Sequence, residues 1–98
     1  MKLGEVKATL LANQEALTQL GARHLDVFGS VARGEATAAS DVDLVVTFDE
    51  GHRRSLVDLA RLKNRLRELL GAEVDVTVEP IRTARLRARI EQELVRAF

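Results

Sequence analysis

Apolar residues recur at helical spacing in three stretches of the chain. Residues 3–20 predict a first helix that ends at Gly21, because glycine readily adopts the left-handed conformation of a helix end. Residues 55–70 predict a long amphipathic helix that ends at Gly71. Residues 83–98 place an apolar residue at every fourth position and predict a last helix that runs to the C-terminus.

Three shorter stretches alternate apolar and polar residues, as half-buried strands do. They are residues 23–28, residues 42–48 and residues 74–78. Between the first two, Ser30 can cap a short helix over residues 31–33, which the glycine that follows limits to about one turn. The predicted order is helix, strand, short helix, strand, helix, strand and helix.

This order, α-β-α-β-α-β-α, predicts an α/β fold in which helices pack on a small mixed sheet of three strands. The 98 residues provide one core and little room for a second, so we expect residues 1–98 to form a single domain. The composition, with 46% hydrophobic and 31% charged residues, is that of a folded chain rather than a disordered one.

The composition also excludes several kinds of site. The chain has no cysteine, and therefore no disulfide, no thiolate metal site and no cysteine nucleophile. No apolar run approaches the roughly 20 residues that cross a bilayer, and acids and amides interrupt the N-terminus where a signal peptide is apolar, so we expect a cytoplasmic protein. Aromatic residues make up 3% of the chain, without Trp or Tyr, which argues against direct nucleic-acid binding by base stacking.

The formal net charge is zero, but the charges are unevenly distributed. Residues 1–50 hold 4 Lys and Arg against 8 Asp and Glu, whereas residues 51–98 hold 11 against 7. The positive excess of the second half could serve an anionic ligand or an acidic partner, or could be a solvated helix face. The apolar repeat of the last helix, which ends at Phe98, fits packing within the chain and also an interface between copies.

The predicted strand over residues 42–48 carries the main evidence for function. Its even-numbered positions are apolar, so Asp41 and Asp43 share the opposite face, about 6.5–7 Å apart. If the strand that carries Asp75 lies beside it and faces the same core, Asp75 falls on the same side as the pair. Three carboxylates would then converge.

Carboxylates at close range repel one another, so either their pKa values rise or a cation neutralises them. Ligation by oxygen alone suits Mg²⁺ or Mn²⁺, and two such ions about 3.5–4 Å apart are used for nucleotidyl transfer. We therefore expect Asp41, Asp43 and Asp75 to be the metal ligands and the catalytic residues. Asp75 would either accept the proton of the acceptor or hold the ion that activates it.

The Gly-Ser turn after the first predicted strand supplies a site for phosphate. Gly29 lets the backbone approach a ligand closely, and the amides that begin with Ser30 can donate to phosphate oxygens. Arg33 on the same turn can bind a phosphate through two parallel hydrogen bonds. The expected reaction is attack of an acceptor oxygen on the α-phosphate of a nucleoside triphosphate, with release of pyrophosphate.

Each of these features alone also has an ordinary structural explanation. An Asp-x-Asp pair is common on a solvated strand face, a Gly-Ser turn is common after a strand, and an exposed face tolerates Asp75 although Asp is depleted in strands. His24 and His52 lack metal-ligand spacing and are expected at the surface or in loops, and the basic face from Arg61 to Arg67 is expected to be solvated. The combination of these features, in this order, favours the catalytic interpretation.

The stretch GSVARGEATAASDVDL, residues 29–44, resembles the signature of the DNA polymerase beta-like nucleotidyltransferase superfamily, which is Gly-Ser, ten residues and Asp-x-Asp. It is most similar to the minimal nucleotidyltransferase group, through Arg33-Gly34 and through Ser40 before the first Asp. The resemblance implies the nucleotidyltransferase fold, with metal ligands and a triphosphate site at residues already named. They are Asp41, Asp43, Asp75, Gly29, Ser30 and Arg33.

Members of the minimal group are commonly antitoxins paired with a HEPN toxin, a helical ribonuclease, and some transfer AMP from ATP to a toxin tyrosine. The resemblance therefore implies ATP as substrate, Mg²⁺ as cofactor and a protein acceptor. No residue follows Phe98, so we expect another molecule to supply the acceptor. Two alternatives remain open, which are a non-catalytic antitoxin that occludes its partner and transfer of a nucleotide to a small molecule.

Overall fold

The computed structural model describes residues 1–51 and 55–98, and His52, which the sequence placed in a loop, lies outside the described residues. Helices and strands alternate much as the sequence predicts. In chain order they are α1 (Leu3–Ala12), α2 (Gln14–Gln19), β1 (Ala22–Phe28), α3 (Gly29–Arg33), β2 (Val42–Phe48), α4 (Leu56–Leu70), β3 (Val74–Val78), α5 (Ala84–Glu91) and β4 (Val95–Arg96).

The strands form one mixed sheet in the order β3-β2-β1-β4. Strand β1 runs antiparallel to both β2 and β4, whereas β2 and β3 are parallel. The α/β class is confirmed. The prediction of three strands is wrong, because the described part of the chain forms a fourth.

The fourth strand comes from the segment that the sequence assigned to the last helix. Helix α5 ends at Glu91, and the residues beyond it turn back along the free edge of β1. There the Ala97 amide donates to the Leu25 carbonyl at 2.9 Å, and the Leu25 amide donates to the Phe98 carbonyl at 3.2 Å. The Phe98 side chain is partly buried against the main core, which confirms packing within the chain. An exposed strand edge offers unpaired backbone groups, and this long-range pairing outweighs the local helical pattern.

The first predicted helix is also interrupted. The sequence predicted one helix over residues 3–20, but α1 and α2 are separate and meet at Asn13. The Asn13 side-chain amide donates to the Thr9 carbonyl at 2.8 Å. Asn side chains compete in this way with backbone hydrogen bonds, which accounts for the break.

The sheet is covered on both faces. On β2, the even-numbered residues Val42, Leu44, Val46 and Phe48 are buried in the main core, together with Leu62 and Leu66 of α4. Val45 points the other way and packs with Ile81 and with Ile90 of α5. Helix α5 therefore lies on the face of the sheet that carries the carboxylates.

No helix within residues 1–51 and 55–98 is long and apolar enough to cross a membrane.

A partly buried ion pair fastens β4 to β1. The Asp26 side chain is 7% exposed, and its Oδ1 accepts a hydrogen bond from Arg96 Nε at 3.1 Å.

We expect Arg96→Gln to lower the free energy of unfolding by about 1–3 kcal/mol, because it leaves a buried carboxylate poorly paired. Urea denaturation measures this change. In a double-mutant cycle with Asp26→Asn, the cost of Arg96→Gln should largely disappear, and additive costs would contradict this role.

Candidate active site

The turn from β1 into α3 is built around one glycine. Gly29 has a φ of 73°, in the left-handed region that favours glycine. A Cβ at this position would collide with a carboxylate oxygen of Asp43 and would lie 3.0 Å from the Asp43 Cγ. The Asp43 carboxylate is therefore packed against the backbone of the Gly-Ser turn, and only glycine leaves room for it.

The acidic residues lie on neighbouring strands. Strand β3 pairs with β2 so that Asp43 and Asp75 are direct partners in the register, and adjacent partners point to the same face. Asp43 is half-buried, whereas Asp75 is exposed. Asp41 is exposed and lies just before the first residue of β2.

The electrostatics of this pair are unfavourable. Burial raises the pKa of Asp43, and the negative charges of Asp75 and Asp41 raise it further. Arg33 acts in the opposite direction but does not cancel the effect. The negative charge at Asp43 is thus only partly compensated, and a bound cation would relieve the repulsion.

Binding of a metal ion by Asp41, Asp43 and Asp75 together stays a prediction. Within residues 1–51 and 55–98, no three His, Asp or Glu side chains are arranged to hold a metal ion on their own. Asp43 lies within β2, whereas Asp41 lies one residue before its start. The two paired carboxylates still suit Mg²⁺, which takes one or two carboxylates and completes its shell with phosphate oxygens and water.

A glutamate that the sequence analysis did not single out contacts the turn. The amide of Gly29 donates to Glu93 Oε2 at 3.2 Å, and Arg33 Nη1 donates to Glu93 Oε1 at 2.9 Å. Arg33 Nε also donates to Glu35 Oε2 at 3.0 Å. The hydrogen bond from Arg33 holds the pKa of the Glu93 carboxyl below its usual range.

A cavity of about 260 Å³ opens beside these groups. The turn and Asp43 form one wall, and α5 with the residues after it forms the other. The lining residues are Phe28, Gly29, Ser30, Arg33, Asp43, Leu86, Arg89, Ile90 and Glu93. A more open groove of about 440 Å³ lies between α2 and α4 and contains none of the predicted site residues.

The sequence shows the helical spacing of the residues in the α5 wall but not the position of that wall. Leu86, Arg89 and Glu93 follow one another at spacings of three and four, which places them on one face of a helical segment. Nothing in that spacing shows that the face is turned toward the Gly-Ser turn. The structure supplies that relation by packing α5 onto the carboxylate face of the sheet.

Several known proteins are similar to this chain in sequence. The family model described as "Nucleotidyltransferase domain" matches residues 14–97. A candidate protein adenylyltransferase of Methanocaldococcus jannaschii is 43% identical over 76 residues, which are 78% of this chain and 76% of that protein. The protein adenylyltransferase MntA of Thermococcus cleftensis is 39% identical over 80 residues, which are 81% of this chain and 79% of that protein.

Solved structures share the fold. A candidate minimal nucleotidyltransferase has a TM-score of 0.79 and 44% identity, and the match covers 97% of this chain and 95% of that one. A chain from the complex of a tri-AMPylated Shewanella oneidensis HEPN toxin with an MNT antitoxin has a TM-score of 0.58. That match covers 89% of this chain and 70% of the other, and at 15% identity it shows the fold alone.

The chain belongs to the nucleotidyltransferase family. Within it, the close match in both length and structure identifies the chain as a minimal nucleotidyltransferase. It is an enzyme of the class that transfers nucleotides.

Proposed function

We propose that this chain transfers AMP from ATP to a hydroxyl group of a protein acceptor. The observation that carries the proposal is the packing of the Asp43 carboxylate against Gly29, with Asp75 directly opposite on the next strand. This arrangement brings a phosphate-binding turn and a pair of acidic side chains to one end of the sheet. The names of the two archaeal relatives as protein adenylyltransferases support the choice of reaction.

We assign metal binding to Asp43 and Asp75, with Asp41 as a further ligand. Their oxygens are the donors that Mg²⁺ prefers, and Mn²⁺ is an alternative. One or two ions bound there would stabilise negative charge on the α-phosphate and on the leaving pyrophosphate.

The other side chains bind and orient the substrates. Three residues of the turn line the cavity, Gly29, Ser30 and Arg33. The backbone amides of Gly29 and Ser30 and the guanidinium of Arg33 donate to triphosphate oxygens. Asp75 is exposed and accepts the proton of the acceptor hydroxyl. The acceptor oxygen then forms a bond to the α-phosphorus, the bond from that phosphorus to the bridging oxygen breaks, and pyrophosphate leaves.

We further propose that residues 1–98 act as one domain and that the acceptor is a HEPN-type toxin for which this chain is the antitoxin. The resemblance of the Gly-Ser to Asp-x-Asp stretch to the minimal group motivates this assignment. The cavity is small, at about 260 Å³, and leaves Asp75 outside its lining, where a protein side chain can approach.

The proposal is tested by incubating the chain with ATP, Mg²⁺ and a candidate HEPN-type protein. We expect intact mass spectrometry to show the addition of one or more AMP units to that protein, and no addition with Asp41→Asn. Neutralisation of the toxin that survives Asp41→Asn and Asp43→Asn together would instead identify an occluding antitoxin. A nucleotide-labelled small molecule formed without the protein would identify a different acceptor.

A further inference from the structure

The carboxylate of Glu93 occupies hydrogen-bond donors of the phosphate-binding turn. Its two oxygens accept from different groups, Oε2 from the Gly29 amide at 3.2 Å and Oε1 from Arg33 Nη1 at 2.9 Å. The Glu93 side chain is 19% exposed and lines the cavity. Glu93 is thus the anion that the turn holds in the structure.

A carboxylate and a phosphate compete for the same donors. Both accept hydrogen bonds through neighbouring oxygens, and an Arg guanidinium binds either one through parallel bonds. A phosphate that used the Gly29 amide and the Arg33 guanidinium would therefore have to displace Glu93. Arg33 would keep its second carboxylate partner, because its Nε bonds to Glu35, which is exposed.

We propose that Glu93 is an internal competitor of the nucleotide, which sets the affinity of the site for triphosphate. The inference rests on the proposed function, since it requires that the turn bind the phosphates of ATP. Glu93 lies in the short connection between α5 and β4.

The expected size of the effect follows from the strength of the contact. A partly exposed ion pair with two hydrogen bonds stabilises the blocked arrangement only weakly. The apparent affinity for nucleotide is proportional to the fraction of molecules in which Glu93 does not block the site. We expect Glu93→Gln to tighten binding of ATP by about three- to tenfold. The side chain keeps its shape in this variant and loses only its charge.

A second variant separates displacement from a general effect of charge. Removing any negative charge near an anion site strengthens anion binding, whether or not that charge touches the donors. Glu93→Asp keeps the charge and withdraws the carboxylate by one methylene, which weakens its contacts with Gly29 and Arg33. We expect Glu93→Asp also to bind ATP more tightly than the parent.

The experiment is a calorimetric titration of the full chain with ATP and Mg²⁺, and separately with inorganic tripolyphosphate. Glu91→Gln is the matched control, because Glu91 is an exposed carboxylate at the end of α5, two residues before Glu93, and its neutralisation should leave the affinity unchanged. Unfolding temperatures of all variants are recorded to show that each is folded.

Tighter binding of both ligands by Glu93→Gln and Glu93→Asp is the expected result. Unchanged or weaker binding by Glu93→Gln would overturn the inference, because it would make Glu93 a residue that holds Arg33 in place for the substrate. Tighter binding by Glu93→Gln with parent-like binding by Glu93→Asp would also overturn it, in favour of a field effect. If neither the parent nor any variant binds ATP, the proposed function fails and this inference with it.

Discussion

Asp43→Asn is expected to reduce nucleotide transfer by about 10²–10³-fold or more while making the folded chain more stable. The loss of activity follows from the position of Asp43, which is packed against Gly29 and paired with Asp75. A neutral amide cannot replace the charge that holds a cation and balances charge in the transition state. The initial rate of AMP transfer at saturating ATP and Mg²⁺ measures this effect.

The gain in stability follows from the raised pKa of Asp43. A carboxyl whose pKa is higher in the folded chain than in the unfolded chain destabilises the folded state whenever it is ionised. We therefore expect the unfolding temperature of Asp43→Asn, measured at neutral pH with a chelator present, to exceed that of the parent by about a few degrees at most. The difference should shrink at acid pH as the carboxyl of the parent becomes protonated.

Glu50→Gln provides the matched control. Glu50 is an exposed carboxylate just beyond the other end of β2, so its neutralisation should change neither the transfer rate nor the unfolding temperature appreciably. Full activity of Asp43→Asn, or a fall in its stability at neutral pH, would contradict the role given to this carboxylate.

Gly29→Ala is expected to damage both the fold and the site. An alanine at a φ of 73° is strained by about 1–2 kcal/mol, and its Cβ would also push the Asp43 carboxylate out of its position. Because a displacement of about 1 Å can cost about 10²-fold in rate, we expect a loss of transfer of at least that size. Chemical denaturation and the initial transfer rate measure the two effects.

Gly71→Ala separates the strain from the collision. Gly71 ends α4 with a φ of 62°, and a Cβ there meets no atom within 4 Å. We expect a loss of stability of about 1 kcal/mol without a change in the transfer rate. If Gly29→Ala proved as active as Gly71→Ala, the close approach of Asp43 to the turn would have no catalytic importance.

Much of the sheet could be predicted from the sequence because apolar and polar residues largely alternate along its strands. The even-numbered positions of β2 are all apolar and define one buried face, so the alternation by itself determines the direction of Asp43. The same alternation in β3 predicts the direction of Asp75, and the parallel register of the two strands then makes these residues neighbours. Local patterns suffice to predict a contact where both strands that make it follow the same two-residue alternation.

The C-terminal segment could not be predicted in this way. Its apolar repeat from Leu86 to Phe98 has helical spacing, yet the pairing of Ala97 and Phe98 with Leu25 depends on an edge some seventy residues earlier in the chain. The contact of Glu93 with Gly29 is equally remote in sequence. Such contacts arise from the packing of α5 on the sheet, and no local sequence pattern predicts them.

The central claim is that the acidic residues and the Gly-Ser turn together perform nucleotidyl transfer. The most direct measurement incubates the chain, Mg²⁺ and the proposed HEPN-type partner with ATP labelled at either the α- or the γ-phosphate. We predict that the partner retains the α-label and not the γ-label, and that a chelator or Asp43→Asn abolishes the labelling. Retention of the γ-label, or α-labelling that persists in Asp43→Asn, would contradict the account.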